Sequence, residues 1–383
     1  MHYVIGPIVF EIGFDVNPAV AKDVVSSAKI PDYTERIITG LDRGFANLFP
    51  PTDSIVIQNP NDFFQKFIAY MSVPSLVGCE VEANPHVLAS FANFTGDVTN
   101  NVPILMLVPK VFHPFILPYL QSTKHHHQVM RDHIVPIIRR RRAKMADAAA
   151  HGEPHGLQLN FLQGLMEYVK PDGSHYSDDD VAQSILLVAF ASVHTTSMNM
   201  AFALYWLLAR PDLYKELEIE IKEVLGDEPV THQRLEKMAF LNAFIREALR
   251  YGVDKLAHGR KVLQDFTFAN GYQVPKGRTV QTTNRLLNLG LNTEQDTLQG
   301  MDPTRSLNRG STTPARDFVT FGLGKHLCPG RFFAVHEIKL SLVSLLRQYN
   351  ITTLSGKTPQ PVQFFGGSMV MTCNDPLLFT RKK

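Results

Sequence analysis

Cysteine is scarce. The chain of 383 residues has three, Cys79, Cys328 and Cys373. They are too few and too scattered for a disulfide framework, and no C-x-x-C pair offers a zinc site; a reducing compartment fits best. An excess of charge of either sign is also missing. The formal net charge is +2, which gives no footing for nucleic-acid binding. No fixed-period repeat is visible, which sets aside solenoid architectures. The opening "MHYVIGPIVFEIGFDV" lacks the positive start and continuous apolar core of a signal peptide. It is also too short and too broken to span a bilayer. Charge is absent altogether from Val181 to Ala209, where no Asp, Glu, Lys or Arg occurs. That stretch could be a membrane span, but its middle reads "ASVHTTSMN", a polar cluster costly in lipid. A buried core helix is the better reading.

What is present describes an ordinary folded protein. Hydrophobic residues make up 44% and charged residues 19%, and the length suffices for one large core or two. The first half reads as helical and broken by Pro50-Pro51, Pro60, Pro74, Pro103, Pro109, Pro114 and Pro118. A helix is expected from about His125 through "IIRRRRAKMADAAA". The basic run Arg139 to Arg142 reads as a solvated face, or as a dock for an acidic partner. The run His125 to His127 also reads as solvated helix, with adventitious metal binding as the alternative. Ser177 can cap a helix whose first turn, Asp178 to Asp180, suits the dipole. That helix can run to Arg210, where Pro211 follows, about 50 Å at ~1.5 Å per residue. A helix so long and so apolar must cross the middle of a domain.

From Thr231 a further helix places Met238, Leu241, Phe244, Ile245, Ala248 and Leu249 on one face. "FTFANGYQVPKG" is a hairpin turning at Asn270-Gly271. An irregular stretch from about Asn288 to Asp317 is long enough to suggest function. After it comes "FGLGKHLCPGRFFAVHEIKL", in which Phe332, Val335, Ile338, Leu342 and Leu345 keep helical spacing. The pattern is mainly α with a small β part.

Cys328 sits in this last string between two Gly turns. Gly324 and Gly330 allow backbone conformations that a Cβ resists, and Pro329 fixes φ. Such a loop can aim several backbone N–H groups at one sulfur, and the helix start adds positive potential. The arrangement suits a thiolate bound to one metal centre whose other ligands come from a cofactor. A bare Cys-Pro-Gly would instead read as a small buried cysteine. A third reading, a cysteine hydrolase, would need a base and an oxyanion hole.

The full string resembles the haem-binding signature of the cytochrome P-450 family, through Phe321, Gly322, Gly324, His326, Cys328 and Gly330. The resemblance implies haem b with Cys328 as axial ligand, Phe321 packed near the sulfur and His326 at a propionate. It also implies companions. "REALR" holds Glu247 and Arg250, which alone would read as a surface salt bridge. In the family such a pair is buried and joined by a second arginine, here Arg305 of "MDPTRS", although Ser306 stands where Phe is usual. "HGRKV" puts Arg260 at the place of a propionate-binding arginine. "FASVHTTS" is similar to the oxygen-binding segment through Ala191, Ser192, His194, Thr195 and Thr196. Two adjacent threonines would otherwise read as hydroxyls bonded to the previous turn. The implied role of Thr195 is to hydrogen-bond dioxygen and steer proton delivery. His194 replaces the usual acid, so the relay would pass through an imidazole. His-Thr-Thr variants are familiar among fungal members.

The implied activity is a monooxygenase that inserts one oxygen atom from O2 into a lipophilic metabolite such as a terpenoid. Electrons would come from NADPH through a reductase. The resemblance places the substrate near Ala191 and Thr195, the segment after Arg250, and "FFGG" at Phe364 to Gly367. It covers the chain as one domain, 1–383, of the P-450 fold, but begins part-way into the family's length. The membrane anchor, hinge, first helices and strands, and an early Trp-x-x-x-Arg pair have no counterpart. Trp206 to Arg210 has that spacing in the wrong place. An inactive truncated remnant is therefore the alternative function. The family's usual place is the cytosolic face of the endoplasmic reticulum; without an anchor the chain would be soluble or peripheral. The sequons at Asn93 and Asn350 read as chance on a cytosolic face.

Overall fold

Prolines open helices here more often than they break them. Pro31, Pro60, Pro85, Pro136 and Pro211 each occupy a first-turn position, where the missing N–H would have had no intrahelical partner anyway. Pro74 lies inside a helix instead of ending one. The computed structural model describes residues 16–116, 121–252, 258–282, 284–290, 298–365 and 369–382. In chain order the elements are α1 (Val16–Val24), α2 (Ile30–Leu48), β1 (Ser54–Ile57), α3 (Pro60–Leu76), α4 (Pro85–Leu107), α5 (His113–Ile116), α6 (Gln121–His133), α7 (Val135–His151), α8 (Phe161–Glu167), α9 (Asp178–Ala209), α10 (Pro211–Leu225), α11 (His232–Glu236), α12 (Ala239–Tyr251), β2 (His258–Lys261), β3 (Phe266–Thr267), β4 (Gln273–Val274), β5 (Thr279–Thr282), α13 (Asn284–Leu289), α14 (Arg331–Gln348), β6 (Tyr349–Thr353), β7 (Val362–Phe365), β8 (Met369–Thr372) and β9 (Leu377–Arg381). The expected mainly α architecture with a small β part is what the structure shows.

The long helix α9 is the hub. Ser177 and Asp180 form a reciprocal capping box at its start, satisfying two orphan amides at once. Its apolar side chains are buried against α3, α4, α6 and α14. It is the one helix among the described residues long and apolar enough to cross a membrane, but most of its side chains lie inside the protein, as expected of a core helix. Helices α2 and α3 approach closely because α2 presents Gly40 and Gly44. A Cβ at Gly40 would stand 2.2 Å from the carbonyl oxygen of Tyr70, so the crossing admits no side chain there.

The sheets are small and antiparallel. Strand β9 is central between β1 and β6, with Ile57 opposite Leu377 on one side and Tyr349 opposite Arg381 on the other. Because β6 continues directly from α14, Tyr349, Ile351 and Thr353 face inward. There Tyr349 stacks on Phe49. The expected hairpin is β3–β4, with Gly271 at φ 84° in its turn. It lies within the wider β2–β5 pair.

Several sequence expectations need correction. The single helix from His125 is two, α6 and α7, because Pro136 cannot donate to the preceding turn. The helix from Thr231 is also two, with Lys237 and Met238 between α11 and α12. The basic run is not simply solvated. Arg141 is buried and reaches Glu80, Asn160 and the Val77 carbonyl, while Arg142 bonds Asp178. Nor is the His run. His126 is buried between Ser90 Oγ (3.0 Å) and Asp97 (2.8 Å), joining α4 to α6. Helix α14 is buried on nearly every side, including His336, Glu337 and Lys339, whereas Phe332 is only half-buried. The segment 253–257 after Arg250 and residues Gly366 and Gly367 of the late turn lie outside the described residues, as does the N-terminal stretch to residue 15.

Candidate functional site

The site is built around one sulfur. Cys328 stands three residues before α14, and its own N–H donates to the Phe321 carbonyl at 2.8 Å, closing the loop. Gly322 (φ 82°) and Gly324 (φ 66°) supply the left-handed positions that residues with a Cβ rarely adopt. Gly330, read from the sequence as a second such position, has an ordinary φ of −82° as the cap of α14. Its contribution is a backbone N–H. Burial pushes the Cys328 thiol up from its usual value, while the N–H groups of Gly330 and Arg331 and the Arg331 charge act in the opposite direction. Those amides are orphan donors of the first helical turn, so the helix start stabilises charge on the sulfur. Arg331 also donates to the Cys328 carbonyl (2.9 Å) and to the Thr312 carbonyl (3.2 Å). No histidine hydrogen-bonds the sulfur among the described residues, and the hydrolase reading has no base.

The irregular stretch that delivers this loop is held by α12. Glu247 and Arg250 form a buried bidentate pair at 2.6 and 2.8 Å. Burial works against the Arg250 charge, yet the hydrogen bonds and charge of Glu247 raise its guanidinium above the usual value. Arg250 continues to the Asn288 carbonyl at 2.6 Å. Asn288 in turn accepts from the Val319 amide at 2.8 Å. Arg305, expected to complete the cluster, is exposed in the 3-10 turn Pro303–Ser306 and is not joined to the pair. What reaches Glu247 from that turn is the Asp302 amide, at 3.4 Å. An arginine missed in the sequence grips the stretch instead. Arg246, buried one residue before Glu247, donates to the Gly310 and Thr313 carbonyls at 2.6 and 2.7 Å.

On α9, Ala191 and Thr195 are exposed in the middle of a buried helix. They are four residues apart and share one face. Thr195 Oγ1 donates to the Ala191 carbonyl at 2.7 Å, and Asn199 Nδ2 donates to the Thr195 carbonyl at 2.8 Å. Beside them, Ser192 Oγ and Thr196 Oγ1 are buried with no hydrogen-bond partner among the described residues. His194 is half-buried, and its carbonyl accepts from Ser197. Arg260 is exposed on β2, its guanidinium turned back to the Gly259 carbonyl. His326 is exposed on the cysteine loop, while Phe321 is half-buried and packs edge-on to Phe318.

These residues suit a haem. The sulfur is addressed by two amides, the helix packed on α14 opens a polar strip, and hydroxyls beside that strip lack protein partners. Comparison with known proteins agrees. The Cytochrome P450 family model matches residues 52–379. Cytochrome P450 monooxygenase 110 of Postia placenta is 29% identical over 345 residues, covering 86% of this chain and 67% of its own length. Cytochrome P450 monooxygenase 71 of the same fungus is 29% identical over 308 residues, covering 77% and 60%. Cytochrome P450 monooxygenase paxP of Penicillium paxilli is 26% identical over 365 residues, covering 91% and 69%. The chain thus spans about two thirds of the length of these curated relatives. A model match over most of the chain, on a mainly helical fold with the cysteine loop at a helix start, has one meaning: the chain belongs to the cytochrome P450 family of haem-thiolate monooxygenases.

Proposed function

We propose that this chain is a monooxygenase that places one oxygen atom from O2 into a lipophilic small molecule, a secondary metabolite of terpenoid type. Haem b would be held by Cys328 through the iron, with Phe321 beside the sulfur and His326 and Arg260 at the propionates. When bound, haem with a thiolate ligand supplies the reductive activation and cleavage of dioxygen. Electrons would come from NADPH through a reductase partner.

The chain's own residues then have separable tasks. The Gly330 and Arg331 amides would favour the thiolate that binds iron, working against the burial that raises the thiol. Thr195 shares the exposed strip with Ala191, where an apolar substrate would rest. Its hydroxyl hydrogen is committed to the Ala191 carbonyl, so toward the ligand side its oxygen is an acceptor. Donating outward requires rotation away from that carbonyl, which makes Thr195 a gate for protons. Thr196 contributes a hydroxyl next to it. His194 stands where an acid is usual, so a proton relay there would pass through an imidazole.

The observation that carries this reading is the Cys328 sulfur facing two backbone amides at the start of α14. The test is the absorption spectrum of the full chain supplied with haem, reduced and exposed to carbon monoxide, beside Cys328→Ser. A strongly red-shifted Soret band in the parent chain, lost in the variant, is expected. A parent spectrum matching histidine or neutral-thiol ligation would overturn the assignment.

A further inference from the structure

The turn formed by residues 310–313 is held from two sides by arginines. From α12, Arg246 donates to the Gly310 and Thr313 carbonyls at 2.6 and 2.7 Å. From α14, Arg331 donates to the Thr312 carbonyl between them, at 3.2 Å. The same Arg331 holds the Cys328 carbonyl at 2.9 Å and faces the sulfur with its amide and its charge. A second route runs through rings. The Arg246 guanidinium lies 3.9 Å from the centroid of Phe318, Phe318 packs edge-on to Phe321, and the Phe321 carbonyl accepts from the Cys328 amide. Both routes start at one buried side chain and end on the backbone of Cys328, one at its carbonyl and the other at its amide.

Arg246 is 2% exposed. Burying a guanidinium is costly unless its donors are used, and burial brings its value down to about 10. Its hydrogen bonds to Gly310 and Thr313 go to carbonyls and its flat face to an aromatic ring, so it secures backbone. Both bonds leave from Nη1, and a lysine, whose ammonium is a compact point charge, could not lay a flat face on Phe318 while making them. Asn242, four residues earlier on α12, adds its side chain to Ser311 and to the Arg309 carbonyl. The helix face thus carries a continuous grip on the turn.

We propose that Arg246 is the positioning residue of the cysteine loop. It fixes the 310–313 turn, the turn anchors Arg331, and Arg331 keeps the Cys328 sulfur oriented toward the amides of the α14 start. The proposal rests on the reading of Cys328 as the haem ligand for its consequence, and its geometry can be tested without haem.

The three cysteines provide the measurement. Cys79 is exposed, Cys328 half-buried and Cys373 fully buried. In the haem-free full chain, iodoacetamide labelling of each is followed over time by mass spectrometry in the parent, Arg246→Lys, Arg246→Gln and Arg305→Ala. If Arg246 positions the loop, labelling of Cys328 rises about five- to tenfold in both Arg246 variants, as expected for the loss of one buried hydrogen bond in a local opening. Cys79 and Cys373 stay at parental rates, and Arg305→Ala changes nothing. In the haem-loaded chain the same variants lose part of the red-shifted carbon monoxide band, more in Gln than in Lys. If Cys328 and Cys373 accelerate together, Arg246 is a general stability residue and the proposal fails. Unchanged labelling of Cys328 overturns it as well. A parent chain without the red-shifted band would instead refute the ligand reading, leaving the labelling result to judge the loop.

Discussion

Glu337→Gln should make the protein more stable, and increasingly so as pH rises. Glu337 lies in the middle of α14 with no exposed surface, one carboxyl oxygen accepting from Ser72 Oγ at 2.8 Å and the other without a partner. Burial pushes its carboxyl well above the ordinary value of 4.5, because no cation nearby offsets the cost of an anion there. The folded state therefore keeps a proton that the unfolded chain releases above 4.5. Stability from this group is complete below 4.5 and falls with rising pH by about 1.4 kcal/mol per unit. Glutamine keeps the acceptor for Ser72 and has nothing to titrate. Urea or thermal unfolding of both proteins at pH 4.5, 5.5, 6.5 and 7.5 isolates the effect, since every other group is shared. The variant should match the parent within about 1 kcal/mol at the acid end and then gain on it by about 1.4 kcal/mol per pH unit until Glu337 ionises in the folded state. A difference that does not grow with pH would refute the claim that Glu337 is carried neutral.

Four other outcomes follow from particular contacts. Burial, with the charges of His232 and Lys339 behind it, lowers His336 to about 3, so the parent should lose stability as pH falls from 6.5 toward 3; His336→Gln should flatten that slope in a thermal scan. Gly40→Ala should cost about 2–3 kcal/mol in unfolding experiments, because the new Cβ meets the α3 backbone and not a movable side chain. Thr196→Val should be neutral or slightly stabilising, within about 1 kcal/mol, since the buried hydroxyl has no partner to lose; a larger loss would mean that the hydroxyl holds a buried water. Glu247→Gln leaves Arg250 buried without its counter-charge and should cost about 3–5 kcal/mol, whereas Arg305→Ala, at an exposed side chain, should stay within about 0.5 kcal/mol when the unfolding midpoints are compared.

The parts of the fold that were legible in the sequence are those governed by neighbours along the chain. The capping box at Ser177, the uncharged run that became α9, the Asn270-Gly271 hairpin and the left-handed Gly322 and Gly324 all depend on residues a few positions apart. The misreadings share another origin. Pro136 opens α7, although the run from His125 reads as one helix. Arg141 and His126 look solvated in the sequence because charge in a polar run usually is. Each is buried by partners on other helices, Glu80 and Asn160 for the first and Ser90 for the second, and no local pattern announces them.

The two arginines beside the cysteine loop show where that boundary falls within one site. Arg305 carries the expected motif, yet its side chain ends in solvent. Arg246 carries no motif of its own and holds two carbonyls of the turn. Spacing along α12 could have found it. Asn242, Arg246 and Leu249 lie three and four residues apart on one face, and a polar Asn-Arg pair on a helix otherwise buried must take its partners from whatever backbone crosses that face. The chain that crosses is the irregular stretch, whose Gly310, Thr312 and Thr313 carbonyls belong to no helix or sheet ladder and accept from arginines. A buried guanidinium with five donors is matched to such backbone, and so the helix next to an irregular segment is the place to look for the residue that gives it a fixed shape.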